Sequence, residues 1–494
     1  MVKKALMLYP EIPPTYWSFK FAVSFQGKDS AFPPLGALTV ANMFPRDKWQ
    51  VKLIDQNVKK LKDSDIEDSD FVFISAMNVQ EKSVVEDIER AKRKGKKTIL
   101  GGPFVSTHLP TTKLADHRVE GEAETVMRGL LEDLINGTAK EHYTGSRQII
   151  DITPLPRLDL IDIRRYSSMS VQFSRGCPFN CEFCDITKIY GRNPRVKPIK
   201  NFLAELDQLY KNGWRGSVFI VDDNFIGNLP RIRADLPRIT EWQRERRYPF
   251  SLFTEATINL PDDVLEEMVK AGFRKLFTGI ESPVEASLIE TRKTQNTRYD
   301  LLERIEQIQR KGIEVMAGFI IGFDNDPQNI AELQEEFIKN SAIPSAMVGL
   351  LTAVPGTDLY KRLEREGRII SNGTCNNTDG VLNFIPKLDK DKLVSDYKAL
   401  MQRLYSSREF YGRALSFLER AKDAAKVGYN RISHNDIISF LKSIVIQGIF
   451  DRDKRQYWDY ILNAARNHRD RFTEAITLAV MGHHFRKVTE YYLG

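Results

Sequence analysis

Over residues 1–140, short apolar runs rich in β-branched residues alternate with stretches whose apolar positions recur every three to four residues. The first pattern predicts strands at Ala5–Tyr9, Val51–Asp55, Phe71–Ala76 and Thr98–Gly101, and the second predicts helices such as Pro34–Met43 and Val84–Arg93. This α/β alternation implies a parallel sheet with helices on both faces, a doubly wound Rossmann-like domain over residues 1–145. Ligands of such sheets sit beyond the carboxyl ends of the strands, so the loops after Tyr9, Asp55, Ala76 and Gly101 are the ones to watch. A proline-containing linker follows (146–165), running through Asp151–Asp159. Six further strand–helix units are expected over residues 166–368, with strands at Ser170–Ser174, Ser217–Val221, Phe250–Thr254, Lys275–Gly279, Val315–Ile321 and Ala346–Ala353. They suggest a partial (β/α)6 barrel whose function lies at the strand C-termini. Residues 369–494 carry an almost wholly helical pattern.

Composition narrows the classes. A chain of 494 residues is long enough for two or three domains. The formal charge of +7 is spread along the chain, and short runs such as Lys92–Lys97 read as a solvated face, so a nucleic-acid partner is not expected. The start is basic and then apolar, but Pro10 ends the apolar run, which reads as a first strand rather than a signal peptide. With no run approaching about 20 apolar residues, a cytoplasmic protein is expected, with peripheral membrane contact as a further option. Ile437–Ile446, an amphipathic apolar stretch, reads as core packing or as that contact.

Three of the four cysteines, Cys177, Cys181 and Cys184, fall in the spacing C-x3-C-x2-C directly after a predicted strand. Structural zinc takes four protein ligands, and no second cysteine pair exists to complete such a site. An iron–sulfur cluster with three protein thiolates leaves one iron open to an exogenous ligand. Cys375 stands far away and reads as a spare thiol.

The motif and its place after the first barrel strand resemble the radical S-adenosylmethionine (SAM) superfamily. The resemblance implies a [4Fe-4S] cluster on Cys177, Cys181 and Cys184 whose open iron binds SAM. It further implies SAM contacts from Phe183 within the motif, from Asp222 and Asp223 after the second strand, and from Glu255 after the third. Glu281 and Ser282 after the fourth strand join them, as does Gly318-x-Ile320-x-Gly322 in the fifth, where glycines let the backbone approach adenine. Arg192, just past the cluster loop, would suit the SAM carboxylate.

A Rossmann-like domain before such a barrel resembles the cobalamin-dependent branch of that superfamily. Local matches are Pro34 and Gly36 before the first helix, Asp55 and Asn57 after the second strand, Ser75 and Met77 at the end of the third, Gly101-Gly102-Pro103 after the fourth, and Glu122 in Gly121–Glu124. Many cobalamin proteins carry a histidine where Asn57 stands, and no histidine precedes His108, so a cobalamin without a histidine lower ligand is expected. The helical C-terminal region resembles the extension of a subgroup that includes the hopanoid C-2 methylase.

The resemblance implies a C-methyltransferase that uses methylcobalamin and a 5′-deoxyadenosyl radical to methylate an unactivated carbon of a hydrophobic small molecule, of lipid or tetrapyrrole class. An electron donor such as flavodoxin or ferredoxin is implied as partner. Radical cyclisation or ring rearrangement with the same cofactors is the alternative. RNA methylthiolation is disfavoured, because the N-terminal domain lacks the second cysteine triad that chemistry requires.

Overall fold

Four strands form where the periodicity places them: β1 (Lys3–Tyr9), β2 (Trp49–Asp55), β3 (Phe71–Ser75) and β4 (Lys97–Gly101). Two short strands that the pattern does not announce, β5 (His117–Glu120) and β6 (His142–Thr144), extend the sheet to the all-parallel order β2-β1-β3-β4-β5-β6. This is a computed structural model, describing residues 2–107, 109–147, 150–374, 376, 378–425, 427 and 434–493. Cys375 lies outside the described residues.

Alternation along β1 assigns its residues to two separate cores. Leu6 and Leu8 join Val72 and Ile74 under α2 (Glu81–Arg93), through Val84, Ile88 and Ala91. Ala5 and Met7 join Phe73 and Ile99 under α1 (Leu35–Ala41) and α3 (Met127–Asn136). A parallel sheet buried on both faces requires such near-continuous apolar strands, and burying each large aliphatic side chain contributes about 1.5–3 kcal/mol.

The barrel strands are β7 (Ser168–Val171), β8 (Ser217–Ile220), β9 (Ser251–Glu255), β10 (Phe273–Glu281), β11 (Glu314–Ile321) and β12 (Ala346–Leu350), parallel and in that spatial order. They alternate with α4 (Ile199–Lys211), α5 (Leu229–Glu245), α6 (Asp262–Lys270), α7 (Leu301–Arg310) and α8 (Ile330–Asn340), and α9 (Asp358–Arg365) follows β12. A two-stranded antiparallel ribbon, Ser174–Arg175 with Arg195–Val196, ties off the cysteine loop.

The C-terminal helices are α10 (Lys390–Leu404), α11 (Ser407–Arg420), α12 (His434–Ser443), α13 (Lys454–Asn467) and α14 (Phe472–Leu493); a π-helical stretch, Ile444–Phe450, continues α12. They share one uninterrupted core with the barrel, and the Tyr397 hydroxyl donates to the β12 carbonyl of Val348 at 3.2 Å. The segment after β1 enters the same core. Tyr16 packs against Tyr405 and Phe485, both at 5.4 Å between ring centroids, and its hydroxyl meets Thr489 Oγ1 at 3.2 Å. The Phe21 amide donates to His484 Nδ1 (3.4 Å), which leaves Nε2–H to donate to the Tyr16 carbonyl (3.0 Å). Burial pushes that imidazole down to about 4, so it is neutral near pH 7. Among the described residues no helix is long and apolar enough to cross a membrane.

Candidate active site between the facing sheet edges

The carboxyl edge of the first sheet meets the barrel. Asp55, ending β2, accepts from the Tyr166 hydroxyl at 2.9 Å, just before β7. After β5, Glu122 pairs with Arg195 (2.8 Å) and Glu124 with Arg175 (2.7 Å), both arginines lying in the ribbon beside the cysteine loop.

Cys177, Cys181 and Cys184 are all free thiols, the second buried and the other two half-buried. Their loop is held from outside the barrel. The Glu182 amide donates to the Thr291 carbonyl (2.9 Å), and the Glu182 carboxylate takes a two-pronged bond from Arg362 of α9 (2.8 and 3.1 Å). Arg362 also reaches Asp324 at 2.8 Å. Burial opposes charge on Asp324, but the guanidiniums of Arg368 and Arg362 outweigh it and hold the carboxyl down at about 2. From inside, the Asn224 amide approaches Cys177 Sγ at 3.9 Å and the Gln295 amide approaches Cys181 Sγ at 3.7 Å. Burial pushes the Cys177 and Cys184 thiols up, so a metal's positive charge is what would keep them as thiolates. Among the described residues no three His, Cys, Asp or Glu side chains close on a single metal ion. A four-iron cluster spreads its thiolates over three separate irons and takes hydrogen bonds at its sulfurs, which three cysteines with two neighbouring amides can meet.

The carboxylates at the barrel mouth divide into two kinds. Asp222 is buried and consumed, accepting from the Phe173 amide (2.8 Å) and the Ser174 hydroxyl (2.6 Å). Ser282 is likewise fully buried, its hydroxyl accepting from the Val284 amide at 3.2 Å in a turn. These two residues, expected at SAM, serve the barrel's own loops. Asp223 gives one oxygen to the Gly176 amide (2.7 Å) at the base of the cysteine loop. Burial, the chief cause in both cases, pushes Asp223 up to about 6 and Glu255 to about 8, where Asp223 adds further repulsion.

Glu281 is aimed by its backbone. A bulge interrupts the β10–β11 register between Gly279 and Glu281, and Glu281 adopts the left-handed region at φ 67°. Its carboxylate pairs with the buried Lys293 ammonium at 2.9 Å. Gly279 makes room for this pair: a Cβ there would stand 2.1 Å from Glu281 Oε1 and 2.8 Å from Lys293 Nζ. Burial works against charge on Lys293, and the neighbouring Glu281 and Cys181 outweigh it, so the lysine remains an ammonium beside the cysteine loop. Arg192, which would suit the SAM carboxylate, is exposed and donates to the Pro178 carbonyl at 3.3 Å, whereas Lys293 is a buried cation beside the cysteine loop.

A cavity of about 170 Å3 opens beside Glu281. Gly318 and Ile320 of β11 line it with Phe277, Met347 and Val348, while Gly322 lies outside it, under Leu393 of α10. Thr15, Tyr16 and Trp17 close it from the segment after β1, the Trp17 ring lying 4.5 Å from that of Phe277. Phe183 is half-buried and faces Phe323 at 6.0 Å.

On the first sheet's edge, several expected cofactor residues are spent on protein contacts. The Asn57 amide group donates to Asp55 (2.8 Å) and to the Pro10 carbonyl (3.2 Å) and accepts from the Ile12 amide (2.8 Å), pinning the segment after β1. Asp55 is shared between Asn57 and Tyr166, and Glu122 between Arg195 and Arg175. Gly102, at φ 92°, is required because a Cβ would stand 2.6 Å from the Ala76 carbonyl, which packs the β4 loop on the β3 loop. Pro34 is buried at the start of α1, and Gly36 has open space around it. Ser75, Gly101 and Pro103 are half-buried at the edge, and Met77 stands exposed there. An open edge of backbone and small groups, with one exposed apolar side chain, suits the broad face of a corrin.

The B12 binding domain family matches residues 29–131, the Radical SAM superfamily residues 171–337, and a domain of unknown function (DUF4070) residues 357–493. An uncharacterized methyltransferase of Synechocystis sp. is 38% identical across 99% of this chain and 92% of its own length. The hopanoid C-2 methylase of Rhodopseudomonas palustris is 32% identical across 98% of this chain and 93% of its own. Among solved structures, the cobalamin-dependent SAM radical enzyme OxsB, with aqua-cobalamin bound, superposes with a TM-score of 0.62 over 100% of this chain and 80% of its own at 15% identity, a likeness of fold. The B12-binding match, the Radical SAM match over the cysteine loop and two relatives above 30% identity across nearly the whole chain agree, and the chain belongs to the cobalamin-dependent radical SAM family, in its C-methyltransferase branch.

Proposed function

We propose that the protein methylates an sp3 carbon of a hydrophobic polycyclic lipid or tetrapyrrole, only one end of which enters the apolar cavity beside Glu281, the rest lying outside its volume of about 170 Å3. The observation that carries this reading is the character of that cavity. Trp17, Phe277, Ile320, Met347 and Val348 give it apolar walls, and one end carries the Glu281 carboxylate with Lys293 behind it. Relatives named as methylases of hopanoids and of bacteriochlorophyllide d, the latter 25% identical over 77% of this chain, support the substrate class.

Cys177, Cys181 and Cys184 would hold the cluster, and the Asn224 and Gln295 amides would donate to its sulfurs. With SAM and cobalamin bound, the cofactors supply a hydrogen-abstracting radical and a methyl group. The chain's own part is placement and exclusion. Asp223, and Glu255 once a bound cation displaces its proton, would supply negative charge for a cationic ligand such as the SAM ammonium, and Glu281 with Lys293 fixes a second polar end. Gly318 and Ile320 would offer their backbone to an adenine ring at the edge of that cavity, beside rather than beneath the substrate's end. The apolar walls keep water from a substrate radical.

Cobalamin would lie along the edge formed by Pro34, Gly36, Ser75, Met77, Gly101 and Pro103, with no histidine beneath cobalt. In support, Asn57 is tied at both ends and the exposed Met77 is the side chain nearest to hand after β3. Cob(II)alamin in the holoenzyme would then show an electron paramagnetic resonance spectrum without nitrogen splitting from an axial base. A small redox protein such as flavodoxin or ferredoxin would supply electrons, and the enzyme would work in the cytoplasm at or near the membrane.

The deciding experiment incubates anaerobically reconstituted enzyme with deuteromethyl SAM and a lipid extract from cells lacking the gene. A product heavier by one labelled methyl group, accompanied by 5′-deoxyadenosine, is the expected result. A rearranged or cyclised product without label would sink the reading.

A further inference from the structure

Helix α12 and its π-helical continuation pack Phe440 and Ile446 against the core, yet one of their inward rows is polar and one outward row is apolar. Ser439, Ser443 and Gln447, four residues apart, point inward and are buried. The Ser443 hydroxyl meets the Tyr457 hydroxyl at 2.7 Å, and Gln447 accepts from the Tyr411 hydroxyl at 3.1 Å. The opposite face, on the same spacing, carries Ile437 (49% exposed), Leu441 (57%), Val445 (45%) and Ile449 (52%), with Phe450 at 80% beside them. A surface helix ordinarily buries its apolar stripe and wets its polar one. Here four aliphatic side chains and a phenylalanine form a continuous outward strip, the arrangement that marks an interaction site.

The charges around the strip say what it meets. Arg452, Lys454 and Arg455 follow its C-terminal end and are exposed; Arg452 has the exposed Glu490 at 3.4 Å, whereas Lys454 and Arg455 have no acidic partner among the described residues. Lys442, on the flank, donates to the Ser24 carbonyl at 2.8 Å. Asp451 and Asp453 at the same end are taken up by Arg486 and Ser407, so the charges left outward there are cationic, complementary to an anionic bilayer surface into which such a helix sinks its apolar side while its cations stay among the head groups. A second copy of this chain is a poorer fit, because five residues fall far short of the roughly 20–30 a side of a stable interface. The strip is also joined to the cavity by one short piece of chain. Ser24–Gln26 packs against α12, and Thr15–Trp17, at the other end of the same segment, line the cavity.

We infer that the outward face of Ile437–Phe450 docks this protein on an anionic lipid bilayer, so that its hydrophobic substrate is taken from the membrane. The inference rests on the reading of a lipid-class substrate and names where that substrate is met.

Flotation of the reconstituted full-length enzyme with vesicles of phosphatidylcholine, alone or mixed with phosphatidylglycerol, tests it without any substrate present. The wild type should float with the mixed vesicles and much less with phosphatidylcholine alone. Replacing Leu441, Ile449 and Phe450 together by serine should lower the bound fraction by at least about tenfold. Lys454→Glu with Arg455→Glu should do so by about tenfold for the mixed vesicles only. Both variants should keep their iron content and their formation of 5′-deoxyadenosine from SAM, which reports intact folding. Wild-type enzyme that floats with neither vesicle, or binding indifferent to the serine substitutions, overturns the inference. So does a wild-type dimer that the serine variant converts to monomer. Because the vesicles hold no substrate, failure here leaves the labelled-methyl experiment to judge the methylation reading separately.

Discussion

The two strand edges that face each other differ in what their polar residues leave over. On the barrel edge, Glu255 has no hydrogen-bond partner for its carboxyl among the described residues, and a buried ammonium, Lys293, stands beside the cysteine loop. On the first sheet's edge, Asp55, Asn57 and Glu122 are all hydrogen-bonded or ion-paired to the protein. The contrast follows from ligand size. A small charged molecule can be gripped by a carboxyl left without a partner, as Glu255 is, whose burial costs stability until a ligand arrives. A broad, flat cofactor is gripped by an edge shaped in advance, and the polar groups there are spent on shaping it.

The sharpest way to break this contrast is on the barrel side. Cys181→Ala should take iron and sulfide content to a fraction of wild type and 5′-deoxyadenosine formation below detection, while the circular dichroism spectrum stays native. Retention of a full four-iron cluster would refute the ligand assignment. Next in size, Lys293→Met leaves Glu281 as an uncompensated buried carboxylate and should lower unfolding free energy by about 3–5 kcal/mol in urea melts. Lys293→Met with Glu281→Gln should recover most of that loss without recovering SAM binding, which isothermal titration would separate.

On the other edge, Asn57→Ala should cost about 1–3 kcal/mol by releasing the Pro10–Ile12 segment, yet leave one cobalamin per chain with an unchanged visible spectrum. A changed axial spectrum would return Asn57 to the cofactor face. The smallest effect is on pH dependence. With Glu255 pushed up to about 8, the folded apoprotein holds a proton that the unfolded chain releases in the ordinary carboxyl range. That stability is complete in acid and is lost as the pH rises through 8, with a slope of at most about 1.4 kcal/mol per pH unit for this proton. Glu255→Gln should flatten the decline in apoprotein melting temperature between pH 6 and 8, and an unaltered slope would place the proton elsewhere.

What could be read beforehand follows the same division. Strands β1–β4 and β7–β12 announce themselves because parallel strands buried on both faces must be apolar runs. β5 and β6 did not, since they are short and carry the polar residues His117, Arg118 and His142, so their pairing depends on neighbours already in place. The cysteine triad is legible because metal ligation leaves a local spacing. Lys293 and Gln295 are not, because a lysine and a glutamine after a short helix read as a surface turn until the barrel folds over them. The outward apolar row of α12 is also invisible to a periodicity argument, which finds the two faces of a helix but cannot say which one points in.

The joining of Tyr16 to His484 gives this enzyme a late-closing door. The turn that walls the cavity is anchored 468 residues downstream, on the last helix, so that wall depends on a helix made only at the end of synthesis. The cavity wall settles only once α14 is in place, and because α14 buries Leu478, Phe485 and Val488 in the core it shares with the barrel, removing it should destabilise the barrel along with the wall.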